Sequence, residues 1–253
     1  MCLLVLAWKK HPEYPFVFAG NRDELHARPS TSADWWEDAP HIIGGRDLQA
    51  GGSWLGITRT GRFAVVTNYR DGLKAEPAVR SRGLLVADFL ASDMPAHDYL
   101  RELATAKEQY SGFNLLFGDT HELFYFSNRG GDAGPLTPGI YGLSNHLLDT
   151  PWPKVIRVRD KLNAALSDEP RLDAMLEMLA DREPAPDNQL PDTGVGIELE
   201  RLLSPPCIVN ARYGTRASTA IRVNKDGEAE LVERNFNAAG ETVSTEKFSF
   251  NVD

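Results

Sequence analysis

The chain has 253 residues, 42 % of them hydrophobic and 25 % charged. These proportions exclude wholesale disorder, and the length suffices for a core without metal or disulfide staples. A formal charge of −9 from 36 acidic and 27 basic side chains argues against nucleic acid or an anionic membrane surface as the main partner. Cys2 and Cys207 make neither a disulfide framework nor a Cys-x-x-Cys site, so the reading is a single-domain cytoplasmic protein over 1–253.

The apolar start Met1 to Trp8 stops at Lys9-Lys10, too short for a membrane span and without the basic leader of a secretory signal. Residues 3–8 and 14–20 read as paired strands, and 21–52, rich in Asp, Gly, Pro and Ser, as long surface loops. Residues 53–58 and 62–69 form a hairpin about Thr60-Gly61. Two helices are expected between Arg82 and Tyr110, broken at Asp93-Met94-Pro95. Strands at 113–117, 123–126 and 140–144 follow, then helices at 154–166 and 171–180. A Pro/Asp-rich connection, 183–193, is expected to be mobile. A short helix at 197–203 precedes a three-strand meander over 213–223, 229–236 and 242–251. Strands, helices, strands, helices, strands in that order point to layered α+β with antiparallel sheets.

Signatures for nucleotide, zinc and serine-elbow sites are absent from the sequence. Ser244-Thr245-Glu246-Lys247 matches S-x-x-K, but in an expected strand and not at a helix start. Cys2 is more informative. Trimming of an initiator Met before a small residue leaves a thiol and a free α-amine on one residue, a nucleophile with its own base of pKa roughly 7.7–8.0. The alternative is a small apolar residue opening a strand.

Asn21-Arg22-Asp23-Glu24 ends the second apolar run, either as the start of a solvated loop or, where it converges with Cys2, as a site in which Asp23 orients the amine and Arg22 stabilises a thiolate or binds a carboxylate. Asn68 and Asn145 follow apolar strands, as turn residues or as neutral donors to an oxyanion. His146 offers a Cys-His pairing or a structural role. Arg216, at the start of the last meander, is an exposed charge or a group that depresses the thiol pKa. Cys207 reads as a buried thiol. Trp35, Trp36, Trp54 and Tyr69 are candidates to line an apolar pocket, and Arg22, Arg46 and Arg70 to receive a carboxylate. The candidate substrate contacts are therefore Asn21, Arg22, Trp54, Tyr69 and Arg70.

An ordered set of motifs spans nearly the whole chain: Met1-Cys2, Asn21-Arg22-Asp23-Glu24, Arg28-Pro29, Gly44-Gly45-Arg46-Asp47, Gly51-Gly52-Ser53-Trp54-Leu55-Gly56, Thr67-Asn68-Tyr69-Arg70, Gly142-Leu143-Ser144-Asn145 and Tyr213-Gly214-Thr215-Arg216. It resembles the NRDE family, the transport and Golgi organisation protein 2 group. The resemblance implies an N-terminal nucleophile hydrolase fold, a four-layer αββα sandwich, related to choloylglycine hydrolases and penicillin V acylases that cleave non-peptide C–N amide bonds. By that resemblance Cys2 is the nucleophile, Asp23 contacts its amine, Asn68 and Asn145 serve the oxyanion and the amine, and Arg216 is the C-terminal active-site Arg. Those hydrolases carry an Arg just before their Asn-x-Asp, where this chain has Gly20 and places Arg22 inside the motif.

Eukaryotic members are linked to haem trafficking and to lipid or acyl-CoA metabolism. Three readings follow: a cysteine amidohydrolase acting on a small-molecule amide without a cofactor, a carrier of haem or another amphipathic ligand on the same scaffold, and a structural or regulatory domain with an idle terminus. No nucleic-acid partner and no stable membrane insertion are expected under any of them.

Overall fold

The structure, a computed structural model, describes residues 2–72 and 78–252. In chain order the strands and helices are β1 (Cys2–Trp8), β2 (Phe16–Leu25), β3 (Asp34–Trp35), β4 (Ile42–Gly44), β5 (Leu55–Thr58), β6 (Phe63–Asn68), α1 (Gly83–Ala91), α2 (Ala96–Ala106), β7 (Phe113–Gly118), β8 (Leu123–Ser127), β9 (Gly134–Pro135), β10 (Gly139–Leu143), α3 (Pro153–Ala165), α4 (Leu172–Leu179), α5 (Ile197–Leu202), β11 (Tyr213–Val223), β12 (Glu228–Phe236) and β13 (Thr242–Asn251).

They form two sheets whose paired strands are all antiparallel. One has the order β10-β1-β2-β11-β12-β13 and the other runs β3 to β9 in sequence order. The layering follows from strand alternation. Leu4, Leu6 and Trp8 of β1 join Phe16, Phe18, Phe63 and Leu116 in a core between the sheets. Leu3, Val5 and Ala7 pack outward on Val155, Val158 and Leu162 of α3 and Met175 and Leu179 of α4. On the far side, α1 and α2 cover the second sheet through Leu85, Phe89, Tyr99 and Leu103. The result is the αββα sandwich.

Helix boundaries have local causes. Pro95 precedes α2, whose buried Ala96, Tyr99 and Leu103 recur at helical spacing. Pro153 occupies the first turn of α3, where its missing N–H costs nothing.

Two sequence expectations are corrected. Residues Asn21–Leu25 are strand and not loop, and the expected loop of 21–52 also holds β3 and the buried β4: β2 continues through Asn21–Leu25 because β1 pairs with it as far as Arg22 and β11 as far as Leu25. Their polar side chains find partners inside the protein, which erases the apolar alternation that marks a strand in sequence. The 183–193 connection is tied down. Ala185 is buried with its N–H on Ser204 Oγ, Asp187 accepts from Arg201, and Thr193 bonds Glu200. Ser244–Lys247 lies in β13, as expected. Among the described residues no helix is long and apolar enough to cross a membrane.

Candidate active site

Cys2 opens β1 directly opposite Arg22 of β2. Facing residues of an antiparallel pair project to the same side with Cβ atoms about 5 Å apart, so two residues twenty positions apart become neighbours. By alternation both belong to the face that carries Leu4 and Phe18, toward the second sheet. There they line a cavity of about 200 Å³ together with Asp23, Trp54, Asn68 and Arg82. Arg22 lies over the Trp54 ring, 4.2 Å from its centroid, and its Nη1 donates to Ser30 Oγ at 3.3 Å.

Gly20 stands two residues before Arg22 on the same strand face. A Cβ there would sit 2.9 Å from the Phe18 ring and 3.2 Å from the Leu3 carbonyl. A side chain there would crowd Phe18 and the β1 backbone, and the guanidinium that faces Cys2 across the strand pair is that of Arg22.

Burial pushes the Cys2 thiol up, and the Asp23 charge adds to the rise, while the Asp23 backbone N–H and the Arg22 guanidinium pull it back. The resting sulfur is a thiol that needs a base. Met1, whose removal would bare the α-amine, lies outside the described residues.

Asp23 is 1 % exposed. Its Oδ1 accepts from Thr215 Oγ1 at 2.7 Å and its carbonyl from Tyr213 Oη at 3.0 Å. Burial raises the Asp23 carboxyl pKa, opposed first by the charge of Lys154. Burial lowers Lys154 to about 8, opposed by Asp23. Lys154 Nζ also donates to the Leu203 carbonyl at 2.9 Å. The β-bulge of β11 falls between Thr215 and Ala217, where its register with Asp23 and Arg22 shifts by one residue.

The two asparagines differ. Asn68 lines the cavity, and its side-chain amide has no hydrogen bond among the described residues, so its donors are available to a ligand. Asn145 is fully buried and does not line the cavity. Its Nδ2 donates to the Asn68 carbonyl at 3.0 Å. It therefore holds the Asn68 backbone in place beside the cavity. Ser144 Oγ donates to the Cys2 carbonyl at 2.9 Å and fixes the nucleophile's backbone.

Other expected contacts are committed elsewhere. Asn21 faces the helix layer, donating to the Leu179 and Pro206 carbonyls and accepting from Ser218. Arg216 donates to the carbonyls of Leu25, His26 and Arg28 and clasps the chain leaving β2. Arg70 forms a buried ion pair with Glu200 at 3.0 Å and lies over Trp152, yet with Tyr69 it still lines a groove next to the cavity. Arg46 pairs with Asp38, over Trp36, and Trp35 and Trp36 line a separate hollow.

Tyr69 Oη bonds His146 Nε2 at 2.8 Å, while His146 Nδ1 meets Thr150 Oγ1 at 2.9 Å. Both imidazole nitrogens are occupied, so His146 is no base for Cys2. Cys207 is buried, as expected.

A second groove, of about 320 Å³, adjoins the cavity and shares Asn68 and Arg82 with it; Val195, Leu199, Leu202 and Leu203 supply its apolar wall. Sequence reasoning missed Arg82, Ser144, Lys154 and Thr215. The run Arg80-Ser81-Arg82 ahead of a helix was a signal for Arg82, and the motifs Gly142–Asn145 and Tyr213–Arg216 carried Ser144 and Thr215 without marking their roles.

The fold is that of the N-terminal nucleophile hydrolases. An N-acylethanolamine-hydrolyzing acid amidase ortholog from Caenorhabditis elegans superposes with a TM-score of 0.53 at 12 % identity, over 87 % of this chain and 92 % of that one. A mutant of the conjugated bile acid hydrolase from Clostridium perfringens superposes with a TM-score of 0.52 at 8 % identity, over 100 % and 98 %. The chain belongs to the Transport and Golgi organisation 2 family, whose model matches residues 1–238. It is 35 % identical over 257 residues to the Transport and Golgi organization 2 homolog of Mus musculus, and 35 % identical over 256 residues to the Homo sapiens homolog, covering 92 % of each chain in both cases. The Drosophila melanogaster Transport and Golgi organization protein 2 is 27 % identical over 263 residues, 92 % of this chain and 91 % of the relative.

Proposed function

We propose that this protein is a cysteine N-terminal nucleophile amidohydrolase that cleaves a non-peptide C–N amide bond. The observation that carries the reading is Cys2 on the wall of a cavity that also presents the uncommitted amide of Asn68. With Met1 removed, the Cys2 α-amine takes the thiol proton as sulfur bonds to the carbonyl carbon. Asn68 donates to the oxyanion that forms. The C–N bond breaks as the ammonium returns its proton to the leaving amine, and a thioester remains. Water, deprotonated by the same amine, then releases the carboxylic acid and restores the thiol.

Behind the nucleophile, burial disfavours a charged Asp23, and the Lys154 charge and the Thr215 hydrogen bond work against that penalty, so that the carboxyl can face the amine as a carboxylate. The proposed ligand is a small amide, with no nucleic-acid partner or membrane insertion, in keeping with a charge of −9, and the proposed compartment is the cytoplasm, in keeping with two cysteines and no disulfide framework.

Intact mass and a panel of N-acyl amides test the reading. Loss of Met1 is expected, with turnover that falls about 10³-fold or more in Cys2→Ala. Equal rates for Cys2→Ala and wild type on every hydrolysed amide overturn it.

The apolar groove beside α5 favours one further reading, a carrier of an amphipathic cargo such as haem. No histidine lines the cavity or the groove among the described residues, so a cargo haem would be held by apolar and Arg contacts. Saturable binding retained in Cys2→Ala, without turnover, is its signature.

A further inference from the structure

Four guanidinium groups, from Arg22, Arg28, Arg80 and Arg82, stand around the Cys2 cavity. Two are spoken for: Arg28 pairs with Asp47 at 2.6 Å and Arg80 with Asp88 at 2.6 Å. Arg22 and Arg82 have no carboxylate at ion-pair distance among the described residues. Arg82 spends one donor on the Gly112 carbonyl at 3.0 Å, leaving the rest of its five N–H groups for a ligand. Its position is set by a close backbone approach. A Cβ on Gly52 would lie 2.3 Å from the Gly83 carbonyl carbon, and Ser53 N–H bonds the Gly83 carbonyl at 3.0 Å. This pins the start of α1, and Arg82 immediately before it, over the cavity.

We propose that Arg82, with Arg22 beside it, forms an oxyanion subsite that selects substrates carrying a carboxylate or phosphate next to the carbonyl attacked by Cys2. The reasoning is electrostatic. Burial has stripped solvation from both guanidinium groups, Arg216 repels Arg22 and Arg28 repels Arg82, and the Glu24 carboxylate on the cavity wall offsets this only from beyond ion-pair distance; an anion that accepts from both relieves these costs. A planar guanidinium matches the two oxygens of a carboxylate or phosphate. Arg82 also borders the apolar groove, so one ligand can place its anionic group there and an apolar group along α5. The word substrate rests on the amidohydrolase reading; the subsite itself does not.

Iodoacetate and iodoacetamide separate the two. Both alkylate a thiolate at the same carbon, forming an S–C bond and releasing iodide, and they differ by one carboxylate charge. The ratio of their rates at Cys2, mapped by mass spectrometry and divided by the ratio for a free cysteine peptide, is expected to exceed one by about tenfold, the scale of one charge-assisted hydrogen bond. Acetate and inorganic phosphate should each be tried as competitors, and selective slowing of iodoacetate by either supports the subsite and says which oxyanion it prefers. Arg82→Gln should bring the ratio back toward the peptide value. A change in thiolate fraction acts on both reagents alike and cancels in the ratio. Arg46→Gln, at a guanidinium paired outside the cavity, should leave it high.

A wild-type ratio equal to the peptide's, or one insensitive to both competitors, overturns the proposal even if Arg82→Gln fails to fold. Neither result touches the Cys2→Ala turnover test.

Discussion

Glu233 is a buried carboxyl group whose titration is set by burial and opposed by two hydrogen bonds. It is 1 % exposed, accepting from the Ala33 N–H at 2.7 Å and from Thr219 Oγ1 at 3.0 Å. Burial is the largest influence and raises its pKa. A folded pKa above the unfolded value of about 4.3 means that the unfolded chain releases this proton first. Stability from this group is therefore full below that pH and is lost as pH rises through the raised folded value. Glu233→Gln keeps an acceptor for Ala33 and turns an amide toward Thr219. Its stability relative to wild type, measured by urea denaturation, should improve as pH rises from about 4 toward neutrality; a difference that stays constant with pH contradicts the assignment. Nothing in the sequence marks Glu233, because its surroundings are supplied by β11 and by the chain ahead of β3.

The short helix α5 is held by charge as well as by apolar contact. Glu200 is 2 % exposed, pairs with Arg70 at 3.0 Å, and takes two bonds from Thr193 through Oε1. Six residues cannot sustain a helix alone, so these contacts keep α5 and the 193–203 stretch seated beside the cavity. Breaking a buried pair from one side costs about 3–5 kcal/mol. Glu200→Ala should lower stability on that scale and speed amide hydrogen exchange in 193–203 before it does so in β1 or β2. Uniform exchange across these segments would show that the pair does not set the local stability of α5. Arg70 was legible as a polar residue after a strand, but its partner was not, since 130 residues separate the two in sequence.

The two sheets share one interior, and this predicts cooperative unfolding. Phe63 of the second sheet is 1 % exposed and meets Phe16 and Phe18 of the first at ring-centroid distances of 4.9 and 5.2 Å. Phe63→Ala should cost about 3–5 kcal/mol. Tryptophan fluorescence and far-ultraviolet circular dichroism should shift together in one transition. Two separated transitions would mean that the sheets fold as independent units.

The period of apolar residues was enough to place β1, the hairpin of β5 and β6, the α1 and α2 pair, α3, α4 and the closing meander. Periodicity is a local property that survives without the fold. The ordered motifs likewise sufficed to indicate the family, and Cys2 stood out by its place in the chain. Which polar residues share the cavity depended on packing. Sheet register sets Arg22 against Cys2 while strand alternation turns Asn21 away, the β11 bulge aligns Thr215 with Asp23, and the Gly52–Gly83 approach carries Arg82 in from a distant turn. The hydrogen-bond partners of Asn145 and Arg216 could not be read at all, because polar residues at strand ends are ambiguous in sequence. Backbone carbonyls that need donors claimed both of them. Such claims are settled by neighbours far away along the chain, so only the folded arrangement could assign them.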